Sequence, residues 1–224
     1  MKIYSKCLDP KDYEFLGESI EYYRNIESTL GELVRPQHPA RMWEYGTILK
    51  LLEKCSYKTI VDIGGSGSAL PQCFATRGLD TTIIDFDDES ERIKKQNDVL
   101  NTDVKFIAAD FLNTEPKKYD IVVCVSTIEH VPDDDAFFLK MLDSCNDGGL
   151  VYITCDFFTS PIHPNEPPTY KNWVNRTYTK EKLIEMTKIA KDRGFSLVNG
   201  MYNWVWNGPH VYNYNFASLI LEKV

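Results

Sequence analysis

The sequence predicts a doubly wound α/β fold: a seven-stranded, mostly parallel sheet, its last strand antiparallel, with helices on both faces and further helices at the N-terminus. Three observations predict it. Short runs of β-branched and apolar residues recur seven times, at 59–62, 80–85, 104–110, 119–125, 150–155, 195–202 and 214–222, and such runs bounded by turn residues read as buried strands. Stretches with helical spacing follow the first, second and fourth of them and precede the first and sixth, the alternation that gives a parallel sheet. The first strand runs into a glycine-rich turn, Thr59-Ile-Val-Asp-Ile-Gly-Gly-Ser-Gly-Ser-Ala-Leu70. A strand, a glycine turn and a helix make the nucleotide-sized crevice of such sheets.

Composition bounds what the chain can do. Its 224 residues, 43% hydrophobic and 12% aromatic, are enough for one substantial core. Acids outnumber bases by 33 to 25, which argues against nucleic acid as the principal partner, because that affinity rests on clustered Lys and Arg. The six cysteines form no C-x-x-C and no pairing with His at metal spacing, so no metal site is expected. Cys124 and Cys155 fall inside apolar runs and read as buried thiols. No signal-peptide core and no membrane-spanning run is visible, so a soluble, cytoplasmic protein without a membrane partner is expected.

Each element has its own signal. Residues 1–37 read as an N-terminal helical cap, with Tyr13, Leu16, Ile20, Tyr23 and Ile26 on one face. Arg35-Pro-Gln-His-Pro39 ends it, and the sheet domain runs from 38 to 224. A helix over 40–54 buries Trp43, Ile48, Leu51 and Leu52. Arg41 opposes the dipole at its start, which calls for a carboxylate partner. A short helix follows the glycine turn and is closed by Gly78, and 88–100 reads as a charged surface helix. Pro132, Asp133, Asp134 and Asp135 start the helix at 133–145, and these acids suit the helix dipole rather than a metal. A Gly148-Gly149 turn leads into the fifth strand. Residues 156–178 hold four prolines and form a loop, a lid or a substrate wall at the active edge. Thr179 caps a helix stopped by Gly194, and the last two strands pair antiparallel.

Three of the strand segments end in an acid: Asp62, Asp85 and Asp110. Asp85 follows Asp62 by 23 residues, the distance expected for an acid that grips a ribose diol. Gly65 and Gly67 supply the first two glycines of the dinucleotide pattern G-x-G-x-x-G, but Leu70 occupies the third. Asp62 would repel a pyrophosphate and welcome a cationic amino-acid moiety.

The turn resembles motif I of class I S-adenosylmethionine (SAM)-dependent methyltransferases, D/E-x-G-x-G-x-G. It matches at Asp62 and Gly64 and departs with Ser66 and Ser68. Ser126-Thr-Ile-Glu-His-Val-Pro132 resembles the string after the fourth strand in that family, and Arg41-Met-Trp-Glu-Tyr45 resembles one that precedes motif I in some small members. The resemblance covers roughly 38–224 and implies a Rossmann-like sheet. It places Asp62, Gly64, Gly65 and Gly67 on the methionine side of SAM, Arg41 on its carboxylate, Asp85 on the ribose, and Asp110 and Phe111 at the adenine. Phe86 and Ser126 complete the cofactor set. His130 is the expected base, since histidine as a residue type has a near-neutral reference pKa, with Glu129 beside it. His163, Tyr170, Trp173, Trp206 and His210 are expected at the substrate. The implied reaction moves a methyl group to a hydroxyl or amine of a small molecule and releases S-adenosylhomocysteine (SAH). An NAD-dependent oxidoreductase and a non-catalytic SAM-binding subunit are the alternatives.

Overall fold

The computed structural model describes residues 2–53, 55–158, 174, 176–205 and 215–224. In chain order the elements are β1 (Ser5–Lys6), α1 (Asp12–Leu30), α2 (Arg41–Leu52), β2 (Thr59–Ile63), α3 (Leu70–Thr76), β3 (Asp80–Asp85), α4 (Ser90–Leu100), β4 (Lys105–Ala108), β5 (Tyr119–Val125), α5 (Asp134–Asp143), β6 (Cys145–Phe157), α6 (Lys180–Asp192), β7 (Phe195–Leu197), β8 (Tyr202–Asn203) and β9 (Asn215–Lys223). Seven strands form one sheet in the order β4-β3-β2-β5-β6-β9-β7. β4 through β6 are parallel, and β9 runs antiparallel to both β6 and β7. After β2 the chain lays β3 and β4 on one side, then returns to place β5 on the other. Ligands bind outside the carboxyl ends of strands at such a reversal.

The apolar run of β5 has a simple cause. Val122 and Cys124 face one core, shared with Phe137 and Met141 of α5 and Leu183 and Met186 of α6. Ile121 and Val123 face a second core, shared with Leu16 and Tyr23 of α1, Trp43 and Ile48 of α2 and Phe74 of α3. A strand covered on both faces loses polar alternation. Cys124 and Cys155 are buried as expected.

The N-terminal helix joins the second core through its own polar tie. Trp43 is 1% exposed, and its indole N–H donates to Asp12 Oδ2 at 2.9 Å. Asp12 in turn pairs with Lys6 at 2.7 Å. Trp43→Ala removes a large buried ring and leaves Asp12 Oδ2 without its indole donor, so a loss of about 3–5 kcal/mol is expected in urea denaturation.

Three boundaries differ from the expectation. β6 begins at Cys145 rather than at 150. Tyr119 pairs with Cys145 and Ile121 with Leu150, so the expected Gly148-Gly149 turn is an irregularity inside the strand. Gly148 has φ 72°, and a Cβ on Gly149 would lie 2.6 Å from the Asp120 carbonyl. The sixth expected strand, 195–202, stops at Leu197. Asn199 (φ 59°) and Gly200 (φ 63°) then turn the chain, and β8 pairs in parallel with β1 in a separate two-stranded sheet. The third expected strand, 104–110, narrows to 105–108, because Asp110 caps a short helical turn at 111–113. The expected loop over 156–178 and the final loop lie largely outside the described residues. Among the described residues, no helix is long and apolar enough to cross a membrane.

Candidate active site

A cavity of about 580 Å³ opens outside the carboxyl ends of the strands from β4 to β5. Asp62, Asp85 and Asp110 all line it. So do Arg41, Gly64, Gly65, Gly67, Phe86, Phe111, Ser126 and His130. Glu129 is absent from its wall. His163, Tyr170, Trp173, Trp206 and His210 lie outside the described residues.

The three acids are differently occupied. Asp62, 1% exposed, has no hydrogen-bond partner on either carboxylate oxygen. Burial, aided by the charge of Asp85, pushes its carboxyl up to about 8. Asp85 accepts from the backbone N–H of Ser66 at 3.1 Å and of Phe86 at 2.7 Å. Asp110 accepts from Leu112 N at 3.0 Å and Asn113 Nδ2 at 3.0 Å, which holds the helical turn carrying Phe111. Phe111 packs edge-on against Phe137, ring centres 5.1 Å apart.

The glycine turn is shaped by what lies against it. Gly64 has φ 79°, and a Cβ there would land on the Thr127 side chain. A Cβ on Gly65 would land on the Asp62 carboxylate. Gly67 has room, its nearest neighbour being Arg35 Cδ at 3.5 Å. Of the two serines that depart from the motif, Ser68 uses its side chain. Ser66 donates to Asp85 through its backbone N–H alone, whereas Ser68 Oγ accepts from Leu70 N at 3.2 Å at the start of α3.

The rim holds residues that sequence reasoning missed. Arg35 N and Gln37 Nε2 both donate to the Gly67 carbonyl, at 3.0 and 3.1 Å. Tyr45 Oη donates to Gln37 Oε1 at 2.8 Å, and the Arg35 guanidinium pairs with Glu89. Residues 35–37 thus strap the turn. They sit in an aperiodic Pro-flanked segment, where no pattern marks a contact.

The opposite wall is built around a buried acid. Glu44 is fully buried and accepts from Ser126 Oγ at 2.7 Å and from Thr154 Oγ1. Arg41 Nη1 donates to both Glu44 oxygens, at 2.9 and 3.2 Å. This is the carboxylate partner that an Arg at a helix start calls for. Ser126 is held at φ 41°, a left-handed conformation that costs a non-glycine residue about 1 kcal/mol or more.

The helical turn at 128–130 is clamped from outside. Val174 N donates to the His130 carbonyl at 3.1 Å, and Arg176 N to that of Glu129 at 3.2 Å. The Arg176 guanidinium donates to the carbonyls of Val131 and Pro132, at 2.6 and 3.1 Å. His130 Nδ1 lies 3.2 Å from the Val174 carbonyl. A carbonyl only accepts, so Nδ1 is the donor in this contact. Glu129 is 1% exposed, both its oxygens without a hydrogen-bond partner. Burial raises its carboxyl to about 7, while nearby backbone N–H groups and Arg41 oppose the rise without closing a hydrogen bond. Among the described residues, no three His, Cys, Asp or Glu side chains are grouped to hold a metal ion.

Residues 61–151 match the family model described as a methyltransferase domain. Over those residues the chain is similar to methyltransferase domains, and its strand order is that of a Rossmann-like sheet. Among curated proteins it is 27% identical over 150 residues to the ubiquinone biosynthesis O-methyltransferase of Nitrosomonas europaea, covering 65% of this chain and 62% of that protein. The match thus spans less than two thirds of that relative's length. Among solved structures, TehB from Haemophilus influenzae superposes with TM-score 0.62 at 18% identity, over 80% of this chain and 62% of that one. The N-methyltransferase NodS from Bradyrhizobium japonicum, in complex with SAH, superposes with TM-score 0.58 at 14% identity, over 90% of this chain and 98% of that one. Those two likenesses speak to the fold.

Proposed function

We propose that the chain transfers a methyl group from SAM to a hydroxyl of a small molecule and releases SAH. One observation carries this reading: three strand-end acids converge on a single cavity, and the deepest, Asp62, is buried with no partner. A buried carboxylate left unpaired is costly, and a cationic ligand relieves it. The same carboxylate counts against a dinucleotide pyrophosphate and so against the NAD-dependent reading.

In this reading Asp62 and the backbone of Gly64, Gly65 and Gly67 hold the methionine portion, with Arg41 at its carboxylate. Asp85 accepts from the ribose hydroxyls with Phe86 alongside. Asp110 and Phe111 receive the adenine, and Ser126 closes the wall next to Arg41. SAM, when bound, supplies a methyl group already activated on a sulfonium. The protein's share is to hold the acceptor in line, keep water out and take its proton. His130 Nε2 is the proton acceptor, kept in the right tautomer by Val174. Glu129 supports it from beneath the cavity floor.

The relative named as an O-methyltransferase supports a hydroxyl acceptor, and the excess of acids supports a small molecule over nucleic acid. Residues 1–37 act as a cap on the domain formed by 38–224, and the protein works in the cytoplasm. His130→Ala tests the chemistry. A drop in kcat of about 10²–10⁴ is expected, with SAH affinity unchanged. An unchanged kcat would remove His130 as the base. SAH binding without turnover of any hydroxyl acceptor by the wild-type chain would favour the non-catalytic subunit.

A further inference from the structure

The glycines of the turn after β2 are held by different means. Packing fixes two of them: a Cβ would meet the Thr127 side chain at Gly64 and the Asp62 carboxylate at Gly65. Gly67 has no such neighbour, Arg35 Cδ being 3.5 Å from where its Cβ would stand. Hydrogen bonds set its place instead, because a glycine without packing is the freest residue of a turn. The Gly67 carbonyl takes two donors, one for each lone pair: Arg35 N at 3.0 Å and Gln37 Nε2 at 3.1 Å. The first is main chain. The second is a side chain, and so is open to substitution.

The Gln37 amide is held at both ends. Nε2 gives its other hydrogen to the Arg35 carbonyl at 2.8 Å, and Oε1 accepts from Tyr45 Oη at 2.8 Å. Two carbonyls at one end of the amide leave it a single orientation, since only nitrogen can donate to both. Tyr45 is fixed in turn, 4% exposed and stacked on Tyr23 with ring centres 4.6 Å apart. The Tyr23 hydroxyl accepts from Ala69 N at 3.4 Å, so the same chain of contacts returns to the turn two residues further on. Gln37, Tyr45 and Gly67 all line the cavity. Tyr45 lies one helical turn after Arg41, so the helix that offers the guanidinium also anchors the glycine turn through Gln37.

We propose that Gln37 is a positioning residue for the cofactor: it holds the Gly67 peptide where the methionine portion of SAM needs it, and Tyr45 acts through Gln37. This rests on the cofactor reading above. Both N–H groups of the amide are spent on protein carbonyls, so its effect reaches the ligand through the turn.

The test measures SAH affinity by calorimetry on the full chain, wild type first. Gln37→Met keeps the length of the side chain and removes its hydrogen bonds, and a fall of about tenfold is expected. Tyr45→Phe is expected to cost about threefold alone and nothing further beside Gln37→Met, because the hydroxyl then has no amide to orient. Gln37→Glu adds a pH readout. Its carboxylate only accepts, yet faces two carbonyls; once protonated, its O–H donates to one of them while the other oxygen still takes Tyr45. Its deficit against the wild type is expected at about tenfold at pH 8 and within about threefold at pH 4.5, whereas the Gln37→Met deficit stays the same. Gln37 is half-buried at the rim, so a urea midpoint close to that of the wild type is expected. The two pH values compare Gln37→Glu with itself, which decides the matter even where Gln37→Met is unstable. Wild-type affinity in Gln37→Met, additive losses from the Met and Phe changes, or a Gln37→Glu deficit that does not narrow on acidification would overturn the proposal. Failure of SAH to bind the wild-type chain would instead sink the cofactor reading, and the proposal with it.

Discussion

An alanine at Gly64 or Gly65 is expected to abolish cofactor binding and to cost about 3 kcal/mol or more of stability, whereas alanine at Gly67 changes little. The difference follows from what each added methyl meets. At Gly65 the methyl lands on the Asp62 carboxylate and displaces it from its place in the cavity wall, so the turn and the acid cannot both keep the positions the ligand needs. At Gly64 it lands on Thr127, and the φ of 79° adds about 1–2 kcal/mol for a residue with a Cβ. The Gly64 N–H also donates to the Ile84 carbonyl at 2.8 Å, so a shift of this residue disturbs the joint between the turn and β3. At Gly67 the methyl makes an ordinary contact with a flexible arginine. Urea denaturation and SAH titration of the three variants check the ranking. Normal SAH binding by Gly65→Ala would show that the turn does not approach the ligand as this account requires.

Asp62→Asn has the second large effect, and its sign depends on the ligand. Burial holds the Asp62 carboxyl near 8, against about 3.9 in an unfolded chain. Between those values the folded chain keeps a proton that the unfolded chain has released. The stability tied to this group is thus full below about pH 4, declines as pH rises, and is lost by about pH 8. Asn keeps the shape and cannot ionise, so the variant is expected to be more stable than the wild type by a few kcal/mol at pH 8 and similar to it at pH 4. Its affinity for SAM is expected to fall about tenfold or more, and that for SAH less, because only SAM carries positive charge on sulfur. Equal losses for the two ligands would show that the carboxylate does not sense that charge.

The parts of the fold written in periodicity and turn chemistry were legible from sequence. β3 and β5 end where their apolar runs end, and Thr179 caps α6 by accepting from Lys182 N. The convergence of Asp62, Asp85 and Asp110 was legible because strands of a parallel sheet deliver their ends to one edge. The start of β6 was not, since Gly148-Gly149 reads as a turn and only pairing with β5 makes it an irregularity within a strand. Nor was the end of β7, where the Asn199-Gly200 signal lay inside an otherwise strand-like run. The buried role of Glu44 comes from contacts across more than 80 residues of sequence, which local spacing does not encode. Arg35 and Gln37 reach the glycine turn from an aperiodic segment for the same reason.

The central claim is that the cavity at the ends of the parallel strands is built for a cationic adenosyl compound. Calorimetric titration of the purified chain with SAH and with NADH, repeated on Asp85→Ala, tests it most directly. The account predicts saturable SAH binding, weakened about tenfold or more when Asp85 no longer accepts from the ribose, and no NADH binding. Saturable NADH binding with no response to SAH would contradict it.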